Sequence, residues 1–293
     1  MTVDGVLVID KPAGMTSHDV VERLRRVFAT KKVGHAGTLD PDATGVLVLG
    51  FGRATRFLMY SQAAPKRYTA VAQLGVTTST QDASGAILST SSAADLDRAA
   101  VMRAVRAFVG EIEQIPPMVS AVKVGGERLY QKARRGEEID RPPRRVTIYE
   151  LEVTSFEPGP QARATLSVKC SAGTYVRTLA HDLGQQLGCG AHLNSLCRTE
   201  AGGFMLSDAE ALERVELGML RPLEDVVRPL GRVDLDDAEA RAVGDGKPIP
   251  AHLAVPDGAL RALFANGRLM AVYRRAGDLL RAETVVGDLA TRR

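Results

Sequence analysis

Three ionisable side chains, His35, Asp40 and Asp42, stand together in the glycine-rich run GHAGTLDPDATGVLVLG at 34–50. Such residues could cradle a phosphate, hold a metal, or present one carboxylate to a ligand. A Walker-type cradle needs GxxxxGK followed by Ser or Thr, and GKP at 246–248 ends in the wrong residue. The dinucleotide pattern GxGxxG is absent, and these glycines lead into a strand. His18, His35, His181, His192 and His252 form no HExxH, and Cys170, Cys189 and Cys197 form no CxxC, so no metal site is expected. CSAGT and DASGA both lack the first glycine of a GxSxG elbow. A carboxylate remains. Asp40 precedes a proline, which biases it away from helix, and nearby glycines let the backbone approach a ligand. On local grounds Asp42 competes equally, and a turn role is open to both.

The elements around this run can be read from periodicity. GVLVIDKPAG at 5–14 reads as a strand of about five residues stopped by Pro12 and Gly14, with Lys11 at its end. TSHDVVERLRRVFA follows as a helix capped by Thr16 or Ser17, with Val20, Val21, Leu24, Val27 and Phe28 on one face. TGVLVLGFG and RYTAVAQLG read as strands, and DLDRAAVMRAVRAFVG as a helix. RVTIYELEV and ATLSVKCS alternate like paired strands, and TYVRTLAHDLGQQLG returns to helix. Residues 114–145, with two Pro-Pro pairs, a Gly-Gly turn and a run of Lys and Arg, read as an exposed excursion. In LRALFANGRLMAVYRR, Asn266-Gly267 between apolar runs predicts a type I′ hairpin.

At 293 residues, with 45% hydrophobic and 25% charged side chains, the chain can bury a real core. A formal net charge of +3 permits a nucleic-acid partner without demanding one. An odd cysteine count at these spacings fits no disulfide framework, and the acidic, only briefly apolar N-terminal stretch is no signal peptide. A cytoplasmic protein without a membrane segment is expected. The composition shifts after RPLEDVVRPLGRVDLDD, which predicts a large domain over 1–229 and a small β-rich one over 230–293.

Six runs taken together carry a family resemblance: DKPAGMTSHDVV at 10–21, KKVGHAGTLDPDATGVLVLGFGRATR at 31–56, KRYTAVAQLGVTTSTQDASG at 66–85, QIPPMVSAVKVGGERLYQKARRG at 114–136, CSAGTYVRTLAHDLG at 170–184 and HLNSLCRTEAGGF at 192–204. Across most of its first 205 residues the chain resembles the TruB-type tRNA pseudouridine synthases, which isomerise uridine 55 in the T-loop of tRNA. The resemblance implies an α+β pseudouridine synthase fold, a mixed, mostly antiparallel sheet flanked by helices. The C-terminal part loosely resembles an RNA-binding PUA domain, most recognisably in VGDGKPIP. It implies Asp40 rather than Asp42 as the catalytic carboxylate, Arg177 as its cationic partner, and Tyr68 as the ring stacking on the target base and removing the C5 proton late in the reaction. Tyr175 and Leu196 match positions packing around the pocket, and His35 one lying against a displaced nucleotide. Lys11 and Thr16 match phosphate or loop-ordering contacts. Lys123 and Arg134 lie in the excursion, which resembles a segment that folds over RNA.

The implied reaction replaces a C–N glycosidic bond by a C–C bond with no net redox change, so no cofactor is expected. A carboxylate can serve by adding to C1′, by adding to C6 of the base, or by taking the C2′ proton, and the sequence leaves the three open. The expected partner is the tRNA T-arm, with no protein partner implied. The rival readings are the same chemistry on another RNA, an RNA chaperone independent of catalysis, and a purely RNA-binding protein.

Overall fold

The computed structural model describes residues 3–118, 141–251 and 255–286, with the backbone alone of 123–124 and 127–128. Its strands are β1 (Gly5–Lys11), β2 (Val33–His35), β3 (Thr44–Phe51), β4 (Lys66–Leu74), β5 (Val76–Thr78), β6 (Ile87–Thr90), β7 (Gly110–Gln114), β8 (Lys123–Val124), β9 (Glu127–Arg128), β10 (Arg144–Glu157), β11 (Arg163–Cys170), β12 (Ala191–Ala201), β13 (Phe204–Met205), β14 (Glu210–Ala211), β15 (Gly231–Asp234), β16 (Ile249–Pro250), β17 (Leu260–Ala265), β18 (Arg268–Ala276) and β19 (Leu279–Val285). The helices are α1 (Ser17–Val27), α2 (Leu58–Ala63), α3 (Arg98–Arg106), α4 (Val176–Gln186) and α5 (Asp237–Gly244). None of these is long and apolar enough to cross a membrane.

A ten-stranded sheet in the order β14-β1-β3-β12-β4-β11-β10-β7 forms the frame, with β2 added to β3 and β13 to β12. Only the β1/β14 and β12/β3 pairs are parallel, so the sheet is mixed and mostly antiparallel. The predicted pairing of 145–153 with 164–171 is the β10/β11 ladder. One core packs α3 and α4 on the sheet, through Val101, Val105, Leu179, Ala180 and Leu183 against Leu74, Leu166 and Val168. A second packs Val20, Val21, Leu24 and Phe28 of the α1 segment on Leu7, Ile9, Leu47 and Leu49. Of the two residues expected to cap α1, Thr16 does so: its hydroxyl accepts from the Asp19 amide while the Asp19 carboxylate accepts from the Thr16 amide.

The C-terminal sheet runs β15-β17-β18-β19-β16. Asn266 and Gly267 both have positive φ, +50° and +76°, as the predicted type I′ turn requires. One face of this sheet, with Leu263, Ala271 and Tyr273, packs with Val243 of α5. The other, with Ala262, Phe264, Leu269 and Val272, shares a core with Phe57, Leu58, Tyr60 and Val226 of the larger unit. The Tyr60 hydroxyl of α2 and the Thr284 hydroxyl of β19, 2.6 Å apart, add a polar link between the larger unit and the C-terminal sheet.

Where β3 meets β12 the backbones approach closely at Gly45. Its φ is +99°, and a Cβ there would stand 2.2 Å from the Arg198 carbonyl oxygen. Gly45→Ala is therefore expected to cost about 3 kcal/mol from overpacking and to lower Tm by roughly 6–10 °C. A thermal melt of the variant within a degree or two of wild type would contradict this account of the junction.

Candidate active site

Residues 36–43 form a loop between β2 and β3, and nearly every residue of it is tied down. Ala36 donates its amide to Val48 O at 2.9 Å. Arg198 of β12 donates to Gly37 O at 3.1 Å and Thr38 O at 3.4 Å, and to Val46 O at 2.8 Å. The hydroxyl of Ser17, at the start of α1, accepts from the Leu39 amide at 2.9 Å. Pro41 O accepts from the Gly14 amide at 3.0 Å and from Lys11 Nζ at 2.9 Å. The completely buried Lys11 spends its other donors on Pro12 O and Met15 O. All three of its N–H groups are thus taken by backbone carbonyls, and of the two roles implied for it, loop ordering is the one its geometry performs. Burial lowers its pKa to about 8, with Asp42 and Asp40 opposing the shift.

This loop presents Asp40 to Arg177 in the first turn of α4. That turn is fixed from β7, where Gln114 accepts from the Tyr175 amide at 3.0 Å and donates to the Tyr175 carbonyl at 3.2 Å. The pair is bidentate: Arg177 Nε lies 3.0 Å from Asp40 Oδ2, and Nη2 donates to Oδ1 at 3.1 Å. The Arg177 side chain is only 5% exposed, whereas that of Asp40 is 42% exposed, so the cation is walled in and the carboxylate remains reachable. Burial raises the Asp40 pKa above the ordinary carboxylate value, and the Arg177 charge opposes that rise.

A third member, Asp82, carries no signal in the sequence. Asp82 accepts from Arg177 Nη1 at 3.2 Å, while its other oxygen accepts from the Thr80 and Ser84 hydroxyls, each at 2.6 Å. The guanidinium is thereby held between two carboxylates. In TQDASG the residue reads as a turn aspartate, and no local signal sets it apart.

Beside Asp40 opens a cleft of about 300 Å³, lined among others by Tyr68, Tyr175, Leu196, Lys66 and Arg198. Tyr68 is buried, and its phenol pKa is raised by burial and drawn back by Arg198, which lies directly opposite it in the β4/β12 ladder. A second cleft of about 330 Å³ lies on the Asp82 side, sharing Asp40, Arg177 and Leu196. The fold thus brings together Asp40, Arg177, Tyr68, Tyr175 and Leu196. It does not bring Thr16 into the cleft lining; its hydroxyl is engaged in the α1 cap. His35 also stands outside that lining, on β2, where burial and then Arg198 push its imidazole below the ordinary value. For Lys123 only a backbone position in β8 is described, and Arg134 lies outside the described residues, as does much of the 114–145 excursion.

The arrangement suits heterolysis of a glycosidic bond: a fixed carboxylate for a positive centre, an aromatic face for a base, and a partly closed cleft. Among the described residues no cluster of three or more His, Cys, Asp or Glu could hold a metal ion. Residues 25–176 match the family described as TruB family pseudouridylate synthase, N-terminal domain. Residues 177–233 match the tRNA pseudouridylate synthase B C-terminal domain. The chain belongs to the TruB family. A protein named tRNA pseudouridine synthase B from Streptococcus pneumoniae serotype 4 is 44% identical over 97% of this chain and 99% of its own. One of the same name from Mycobacterium tuberculosis is 45% identical over 97% and 96%. Among solved structures, a Cbf5-Nop10-Gar1 complex aligns with TM-score 0.75 and 28% identity over 97% of this chain and 85% of that one. An H/ACA RNP bound to a substrate RNA containing 2′-deoxyuridine aligns with TM-score 0.73 and 26% identity over 97% and 85%. Membership of the TruB family accounts for the mixed sheet and the cleft built upon it.

Proposed function

We propose that the chain converts uridine to pseudouridine in tRNA, acting at position 55 of the T-loop on a base flipped into the cleft beside Asp40. The observation that carries this reading is the bidentate Asp40–Arg177 pair facing a base-sized cleft with Tyr68 on its wall. It is supported by membership of the TruB family and by relatives named tRNA pseudouridine synthase B. The C1′–N1 bond breaks with its electron pair going to the base, the ring turns, and C5 bonds to C1′. The C5 proton departs and N1 regains one, so composition and oxidation state are unchanged.

In this scheme Asp40 is the carboxylate that meets the electron-poor ribose or the base, and Arg177 holds it ionised. Tyr68 offers its ring to the flipped base and takes part in loss of the C5 proton. Tyr175 and Leu196 exclude water from the site. Residues 230–293 act as a PUA-like module that holds the tRNA, with phosphate contacts that weaken as salt rises.

Asp82 positions Arg177. Asp82→Ala is expected to lower turnover about 10-fold while leaving tRNA affinity within about twofold, because it loosens the fork without removing the charge. Wild-type single-turnover rates in that variant would count against the role.

The direct test is chemical mapping of pseudouridine in an unmodified tRNA transcript treated with the enzyme. A single new pseudouridine at position 55 is expected. Pseudouridine only at another position, or only in a different RNA, would overturn the proposed target.

A further inference from the structure

Two buried cations form part of the wall of the Tyr68 cleft, and the catalytic scheme above uses neither. Lys66, at the start of β4, is 6% exposed. Its ammonium donates to Gln62 O and, at 2.6 Å, to Ala64 O, leaving one of its three N–H groups without an acceptor among the described residues. Arg198 is 1% exposed, donates to the backbone carbonyls of Val46, Gly37 and Thr38, and is hydrogen-bonded to the neutral Tyr68 phenol. Neither forms an ion pair with a carboxylate among the described residues. Alternation along β4 puts Lys66 and Tyr68 on one face, and Arg198 is the residue opposite Tyr68 in β12, so the three side chains adjoin.

Burying unpaired positive charge opposes folding, so this placement calls for an anion in the cleft. Among the described residues the one carboxylate lining the cleft is Asp40, and Arg177 already engages it. Cys170, opposite Lys66 in β11, is a thiol whose pKa burial pushes up to about 11, and the Tyr68 phenol is likewise pushed up. Both stay neutral at ordinary pH. Lys66 and Arg198 themselves are like charges that would be relieved by a shared anionic guest.

The reaction provides one. Addition to C6 makes the base an enolate, and the other two routes release it as uracilate, with the C1′–N1 electron pair carried onto the ring nitrogens and carbonyl oxygens. We infer that Lys66, backed by Arg198, stabilises the negative charge on the uracil base while its glycosidic bond is being exchanged. In the two routes where the carboxylate acts on the ribose, the cations attend the base and Asp40 the sugar, so opposite charges serve the two halves of the dividing bond. The inference rests on the isomerase reading and extends it to the base half of the substrate.

A pH signature follows. Burial, and next the Arg198 charge, lower the Lys66 pKa to about 8, while Cys170 opposes this slightly. Facing it are Cys170 from β11, Arg198 from β12 and Tyr68 on its own strand, with only neutral carbonyls from the α2 side. The ammonium charge is lost as pH rises through about 8, so the rate of the chemical step should fall there.

The test is single-turnover conversion of a T-arm minihelix carrying uridine 55, with enzyme saturating, by wild type, Lys66→Met and Lys66→Arg, from neutral to alkaline pH. Lys66→Met is expected to lose about 10²-fold in rate while binding the minihelix within about twofold. Lys66→Arg is expected to keep most of the neutral rate and to lose the alkaline fall, because a guanidinium does not titrate in this range. A wild-type rate in Lys66→Met, or an alkaline limb unchanged in Lys66→Arg, would overturn the inference. No conversion by wild type would instead remove the isomerase reading on which it stands.

Discussion

Replacing Asp40 by asparagine is expected to abolish pseudouridine formation, by about 10³-fold or more, while tRNA binding stays near wild type. The substitution keeps the size and much of the hydrogen bonding of the side chain but removes the charge. The 36–43 loop is held by Lys11, Ser17, Gly14 and Arg198 through its backbone, so its course does not depend on the carboxylate. Loss of rate without loss of binding therefore isolates the chemistry of Asp40 from the architecture around it. Rate measurement at saturating tRNA, with affinity measured separately by filter retention, checks both halves. Residual turnover within about 10-fold of wild type would move the catalytic carboxylate elsewhere, with Asp42 the first candidate.

Arg177→Lys is expected to lose about 10²-fold in turnover, and Arg177→Met more, because a single ammonium cannot reproduce two parallel N–H bonds to Asp40 and a third to Asp82. The pH dependence separates geometry from charge. Burial raises the Asp40 pKa and Arg177 opposes that rise, so removing the guanidinium lets the pKa climb further. Activity requires the ionised carboxylate and falls as pH drops through its pKa. The acid limb of the rate profile should consequently shift to higher pH in Arg177→Met, and the variant should recover partly as pH is raised. An acid limb that stays where wild type has it would contradict the electrostatic role.

Much of the frame was legible because its signals are local. The Thr16–Asp19 cap, the Asn266-Gly267 turn and the alternation in β10 and β11 each declare themselves within a few residues. The site was legible in part. The family resemblance points to Asp40, Tyr68 and Arg177, and the fold brings them to one cleft with Tyr175 and Leu196. Arg198 and Lys66 carry no such signal, because a basic residue in a strand gives no hint of its burial, and only the β4/β12 register sets Arg198 across from Tyr68. Asp82 was hidden for a related reason: its partner lies 95 residues away in the chain. The two-sided burial of the C-terminal sheet was also invisible locally, since nothing in β17 says which neighbour covers each face.

The most direct measurement of the central claim is tritium release from a T-arm minihelix labelled at C5 of uracil, comparing wild type with Asp40→Asn, and with position 55 as uridine or cytidine. Release by wild type is expected only when position 55 is uridine, and none by Asp40→Asn. Release that persists without Asp40 or without uridine 55, or a wild-type protein that binds the minihelix and releases nothing, would contradict that claim.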